Sequence, residues 1–150
     1  MRFSLYETGK DLIPLGKELE IIQNYIALER VRCEDKTTIE HTVTEEGKEY
    51  CIPPHILLPF VENAFKHSVS HSFNQSFIKI AITIKNRSLL FSIQNSFEEK
   101  GDKGLSAEGL GLKNVKKRLE HHYKNMHHLE IANEKGVFFV KLEINDLKNC

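Results

Sequence analysis

IPPHILLPFVENAFKHS, residues 52–68, carries the pattern from which the rest of the chain is read. From His55 to about Val69 its apolar residues Ile56, Leu57, Phe60, Val61, Ala64 and Phe65 recur at three- and four-residue steps. That spacing predicts an amphipathic helix with one buried stripe. Pro53 and Pro54 punctuate the chain ahead of it, and Pro59 lies in its early turns, where a missing backbone bond or a kink is expected. Asn63 and His67 border the stripe, while Glu62 and Lys66 sit further round on the polar side. A carboxylate, a carboxamide, an ammonium and an imidazole along one helix rim suit a hydrated Mg²⁺ and phosphate oxygens. A surface Glu–Lys pair beside an ordinary rim asparagine accounts for the same residues equally well.

On the N-terminal side, Leu15, Leu19, Ile22, Ile26 and Cys33 fall at helical spacing, predicting a helix over roughly residues 16–32. Ile39, His41 and Val43 alternate within a strand over 37–44. On the C-terminal side, Ile78, Ile80, Ile82 and Ile84 alternate, as do Leu89, Phe91 and Ile93 beyond a turn at Lys85–Ser88. Residues 96–108 are polar, glycine-bearing and without period. A helix from about Leu112 to Tyr123 and two strands, 129–133 and 137–144, complete the reading. The fold class is α+β: a two-layer α/β sandwich, with one mixed sheet and helices on one face.

The second informative stretch is EGLGLKNVKKRLEHHY, residues 108–123. Gly109 and Gly111 allow close backbone approach, and the helix that follows offers free N–H groups and a positive dipole end. Lys113 and Lys116 add charge to this anion cradle. It is not a P-loop, for no GK[ST] follows, nor a dinucleotide fingerprint, which needs a third glycine after a strand. A flexible entry into a helix explains the glycines too.

Lys plus Arg and Asp plus Glu both total 21, so no net field favours nucleic acid or an anionic membrane. Cys33, Cys51 and Cys150 are scattered and form no CxxC pair, which supports neither a disulfide framework nor a zinc ribbon and suggests a reducing, cytoplasmic setting. No apolar run reaches the ~20 residues of a membrane helix, so membrane attachment is expected only through segments outside this chain. His121-His122 and His127-His128 read as a polar helix end rather than a metal site.

VENAFKH followed, after a variable loop, by GLGLKNVKKRL resembles the nucleotide-binding signature shared by gyrase, the heat-shock chaperone, histidine kinases and MutL. With RFSLY and PLGKELEIIQNYIALERVR ahead of them, these motifs make nearly the whole chain similar to LytS/YehU-type sensor histidine kinases, in their GHKL (Bergerat-type) catalytic domain. The resemblance implies ATP and Mg²⁺ as cofactors. It implies Asn63 as the metal ligand, Glu62 as the polarising carboxylate beside it, and Lys66 and His67 near the phosphates. Gly109, Leu110, Gly111 and Leu112 would wrap the phosphates, with Asn114 close by, and residues 96–108 would be the ATP lid. It further implies residues 1–15 as the remnant of a dimerisation and phospho-acceptor region and 16–150 as the catalytic domain. The γ-phosphoryl would pass to a histidine absent from this chain and on to a response regulator, in a homodimeric parent; His55 mimics an acceptor but is expected to belong to the helix carrying Asn63.

Two departures bear on activity. The family's Asp-x-Gly, whose aspartate accepts from the adenine amino group, is replaced here; alternation places Asn95 rather than Gln94 on the core face at that position. A carboxamide is a weaker acceptor, and one able to flip would tolerate guanine. Gly136-Val137 stands where Gly-Thr is usual. A degenerate nucleotide-binding module acting through conformation or dimerisation is therefore the alternative reading.

Overall fold

The computed structural model describes residues 12–33, 36–47, 49–68, 76–97 and 110–150. Strands are β1 (Ile13–Pro14), β2 (Thr37–Glu45), β3 (Tyr50–Ile52), β4 (Ser76–Lys85), β5 (Ser88–Ser96), β6 (His127–Glu134), β7 (Val137–Ile144) and β8 (Lys148–Asn149). Helices are α1 (Leu15–Cys33), α2 (Leu58–Ser68) and α3 (Leu110–His122). The main sheet runs β2-β4-β5-β7-β6, with β2 parallel to β4 and every other pair antiparallel. A small antiparallel sheet, β1-β3-β8, is made of strands two or three residues long. The mixed sheet and one-sided helical layer are those expected from the alternating isoleucines and the helical stripes.

Alternation decides which sheet face is covered. Ile78, Ile80, Ile82 and Ile84 of β4, Leu89, Phe91 and Ile93 of β5, and Val140, Leu142 and Ile144 of β7 are buried on one face. Lys79, Ala81, Thr83 and Lys85 point the other way and are exposed. Onto the buried face come Leu19, Ile22 and Ile26 of α1, Phe60, Val61, Ala64 and Phe65 of α2, and Leu112, Val115 and Leu119 of α3. Each large side chain so buried contributes roughly 1.5–3 kcal/mol of transfer free energy. Two tight turns join neighbouring strands, Asn86-Arg87 and Lys135-Gly136, all four residues at positive φ as type I′ hairpins require.

The second helix differs from its sequence reading at its front end. It begins at Leu58, not His55, and His55 lies in the preceding turn with φ 59°. Pro59 is therefore in the first turn, where its absent N–H has no intrahelical acceptor to lose, so the expected missing bond does not arise. What starts the helix is Glu18 of α1, which is completely buried. Its Oε2 accepts from the His55 N–H at 3.1 Å, and its Oε1 accepts from Leu57 at 3.1 Å and Leu58 at 3.3 Å. The carboxylate caps α2 from a neighbouring helix, satisfying N–H groups that a helix N-terminus leaves free.

The cysteine reading is corrected too. Cys51 and Cys150 form a disulfide across a sequence separation of 99, with Cα atoms 5.1 Å apart. Their spacing hid it because β3 and β8 pair only in the tertiary fold. Cys33 is a buried free thiol.

On β2, the His41 Nε2 is buried without a hydrogen-bond partner, and burial, followed by the Arg30 charge, pulls the imidazole below its usual pKa. The unfolded chain therefore takes up a proton before the folded one does. Stability contributed by neutral His41 is complete above about pH 6.5 and is lost as pH falls toward the depressed folded value. Urea denaturation at pH 7.5 and pH 5.5 should show a smaller loss for His41→Gln than for wild type; an identical loss in both would remove His41 from that balance.

Candidate functional site

The site is built where the front of α2 meets the front of α3. Helix α3 begins at Leu110, two residues earlier than its periodicity indicates, so Gly111 lies inside its first turn. The first-turn N–H groups of Leu110, Gly111, Leu112 and Lys113 have no intrahelical acceptors. A Cβ placed on Gly111 would come no nearer than 3.9 Å to the Cβ of Pro59, so protein packing does not require glycine there. Leu112 sits in the core at 4% exposure, leaving only its backbone for a ligand, whereas Lys113 and Asn114 are exposed. The guanidinium of Arg118 donates to the Pro54 carbonyl, tying α3 to the turn ahead of α2. Gly109 and residues 98–108 of the expected lid lie outside the described residues; Ser96 belongs to β5.

Along α2 the predicted rim residues are brought to one border. Asn63 and His67 are half-buried, Glu62 is half-buried and Lys66 is exposed. No ion pair joins Glu62 to Lys66 among the described residues, so the plain surface-pair reading is not what holds them. Burial pushes the Glu62 carboxyl above its usual range, opposed by the nearby His55 imidazole. Burial, then the Lys66 charge, pushes the His67 imidazole down. A carboxyl held above its ordinary pKa is a better proton acceptor than a solvated one, and a depressed histidine remains neutral and able to accept. Tyr25 of α1 packs edge-on against Phe65 at 5.6 Å, and burial together with Glu29 and Glu62 raises its hydroxyl to about 12.

At the far end of α2, Ser68 Oγ lies 3.0 Å from Ser96 Oγ, which in turn accepts from the Phe77 N–H at 3.0 Å. This polar clasp fixes the end of β5, where Asn95 stands as the alternation indicates: fully buried, opposite Ile78 and Phe138. Its Nδ2 donates to the Ser96 carbonyl at 3.0 Å, while its Oδ1 has no partner. Only a donor satisfies the Ser96 carbonyl, so the amide is held with its oxygen free; the expected flipping meets this restraint. An orphaned buried acceptor is costly, about 1–3 kcal/mol, unless a ligand supplies the donor. Gly136, at φ 76°, approaches so closely that a Cβ would lie 3.4 Å from the Phe97 carbonyl, and its own carbonyl accepts from Phe97 N–H at 2.8 Å. Val137 pairs with Ser96 beside it.

The histidines at the end of α3 are engaged locally. His121 and His122 rings meet edge-on at 4.8 Å, His127 Nδ1 contacts the Tyr123 carbonyl at 2.8 Å, and His128 contacts Glu130 at 3.1 Å. Among the described residues no group of three or more His, Cys, Asp or Glu is placed to hold a metal ion, and no helix is long and apolar enough to cross a membrane. The residue missed by periodicity is Glu18. Its signal was a carboxylate inside the Leu15–Leu19–Ile22 stripe, where burial without a partner is not tolerated.

Comparison with known proteins agrees with this geometry. A family model described as GHKL domain matches residues 54–145, and one described as histidine kinase matches residues 1–37. The sensor protein LytS of Oceanobacillus iheyensis is 32% identical over 132 residues, covering 79% of this chain; the chain spans 23% of that relative's length. The catalytic domain of histidine kinase ThkA superposes with a TM-score of 0.66 at 15% identity, covering 91% of this chain and 99% of that one. Full-length ShkA, solved in complex with AMPPNP, gives a TM-score of 0.62 at 17% identity over 93% of this chain and 32% of its own. The chain belongs to the GHKL domain family, in the form that sensor histidine kinases carry as their catalytic domain.

Proposed function

We propose that this domain binds Mg–ATP between its helical layer and the end of β5, and presents the γ-phosphoryl to a histidine on another segment of its parent. The observation that carries this reading is the unpartnered, fully buried Oδ1 of Asn95. The base would supply the missing donor there, the free N–H groups at the front of α3 would take phosphate oxygens, and Asn63 would hold Mg²⁺. Bound Mg²⁺ would neutralise charge on the phosphates. Glu62, beside Asn63 in sequence, would take or polarise a proton, Lys66 and His67 would face the phosphates, and Gly109, Leu110, Gly111 and Leu112 would wrap them with Asn114 close by. Residues 16–150 form the catalytic unit, to which Ile13 and Pro14 of the preceding stretch 1–15 add a short strand. Its partners are the phospho-acceptor helix and a response regulator, in a homodimeric, membrane-anchored parent whose catalytic part faces the cytoplasm.

Asn63→Ala tests the site. Asn63 is half-buried at the rim, so the fold should persist while the ratio of ATP affinities with and without Mg²⁺ falls to about one. Calorimetric titration of both proteins decides it; a variant that keeps the wild-type Mg²⁺ dependence removes Asn63 from the metal site. The neutral amide in place of a carboxylate at residue 95 favours a second reading, a nucleotide-binding module without phosphotransfer. Transfer of label from γ-labelled ATP to a supplied acceptor helix separates the two.

A further inference from the structure

We propose that Cys51 and Cys150 form a reversible redox clasp that holds the front of α2 in place. Two observations carry it. The first is access. Cys150 is exposed and Cys51 half-buried, whereas Cys33 is in the core, so a small thiol reagent reaches this pair selectively. The backbone brings the two together: β3 and β8 pair through Tyr50–Asn149 and Cys51–Lys148, and the Cys150 N–H donates to the Glu49 carbonyl at 3.3 Å. Cα atoms 5.1 Å apart lie within the range a disulfide spans. Yet β8 has only two residues, both exposed, so the backbone pairing alone is a weak tether.

The second observation is position. Cys51 is followed directly by Ile52-Pro53-Pro54-His55, the run that delivers the chain into α2. Pro54 receives the Arg118 guanidinium of α3, and the N–H groups of His55, Leu57 and Leu58 rest on Glu18. A covalent link at Cys51 thus anchors the stretch from which α1, α2 and α3 take their relative setting.

The chemistry is thiol–disulfide exchange with a low-molecular-weight disulfide. The thiolate of exposed Cys150 attacks one sulfur of the reagent, forming a mixed disulfide and releasing one small thiolate. The Cys51 thiolate then displaces the second, so two protein thiols are oxidised as one reagent disulfide is reduced to two thiols. A small thiol in excess reverses both steps.

The protein is equilibrated in oxidised glutathione or in dithiothreitol, and the bond is scored by a peptide linking residues 51 and 150. Amide exchange at His55, Leu57 and Leu58 is then read without nucleotide. Reduction should accelerate it about tenfold, and Cys150→Ser should match the reduced protein in both buffers. Equal exchange in the two states, absence of the linked peptide in oxidised glutathione, or a Cys150→Ser variant that still responds to redox would each overturn the clasp. The nucleotide consequence rests on the function proposed above: ATP should bind the reduced form several-fold more weakly. If neither form binds ATP that function fails, while the clasp is still judged by the exchange rates.

Discussion

Glu18→Ala should lower the unfolding free energy by roughly 4 kcal/mol, a large fraction of what holds a domain of this size together. The side chain is completely buried, and its carboxylate accepts three backbone N–H groups at 3.1–3.3 Å. Hydrogen bonds to a charged acceptor contribute about 1.5–3 kcal/mol each, and a donor stranded in the interior costs about 1–3 kcal/mol. The sum overshoots because water will enter the space the carboxylate leaves and satisfy part of it. The His55 backbone offsets part of the loss: the bond to Glu18 holds it at φ 59°, where a non-glycine residue costs roughly 1–2 kcal/mol, and that strain is free to relax once the bond is gone. Glu18→Gln keeps one acceptor oxygen of nearly the same shape and should lose about half as much. Urea unfolding at fixed pH measures both. An alanine variant within ~1 kcal/mol of wild type would show that α2 starts at Leu58 without this cap.

The second large effect is expected at Asn95, where binding falls while stability is nearly unchanged. Asn95→Leu removes the orphaned Oδ1 and keeps the branched shape, but its methyl groups are bulkier than the amide in a fully buried position, and it also removes the 3.0 Å bond to the Ser96 carbonyl. Relief of about 1–3 kcal/mol, set against about 1 kcal/mol for the lost bond and about 1 kcal/mol for the added bulk, should leave the nucleotide-free variant within about 1 kcal/mol of wild type. ATP affinity should fall about two- to tenfold, the worth of one neutral hydrogen bond. Because Nδ2 is tied to Ser96, the wild-type amide would offer only its acceptor to a base bound in the proposed site. GTP, which offers a carbonyl at that position, should bind at least about tenfold more weakly than ATP. Leucine should erase most of that preference. Asn95→Asp sets a carboxylate oxygen against the Ser96 carbonyl, so its stronger acceptor toward adenine is offset by destabilisation of the fold. Titration of both nucleotides into wild type and the leucine variant, alongside urea curves, is decisive: an unchanged ATP to GTP ratio would mean that Asn95 does not read the base.

A stripe of apolar residues records which side of an element is buried, and this much the sequence determined. Ile78 to Ile84 and Leu89 to Ile93 specified two strands and their inner face, and the same alternation put Asn95 inside. Phe60, Val61, Ala64 and Phe65 specified the helix whose border holds Glu62, Asn63 and His67. The order of the two motifs was enough to indicate the family. Partners distant in the chain left no such periodic trace. The Glu18 cap on α2 joins residues 37 to 40 positions apart, and the Cys51–Cys150 bond joins two short strands 99 positions apart. The restraint on the Asn95 amide depends on the conformation of a single neighbouring carbonyl. Hydrophobic patterning is local and averages over many residues, so it survives in the sequence. Hydrogen bonds and disulfides need two particular groups within a few ångströms, and only the packing of α1, α2, β3 and β8 set those distances.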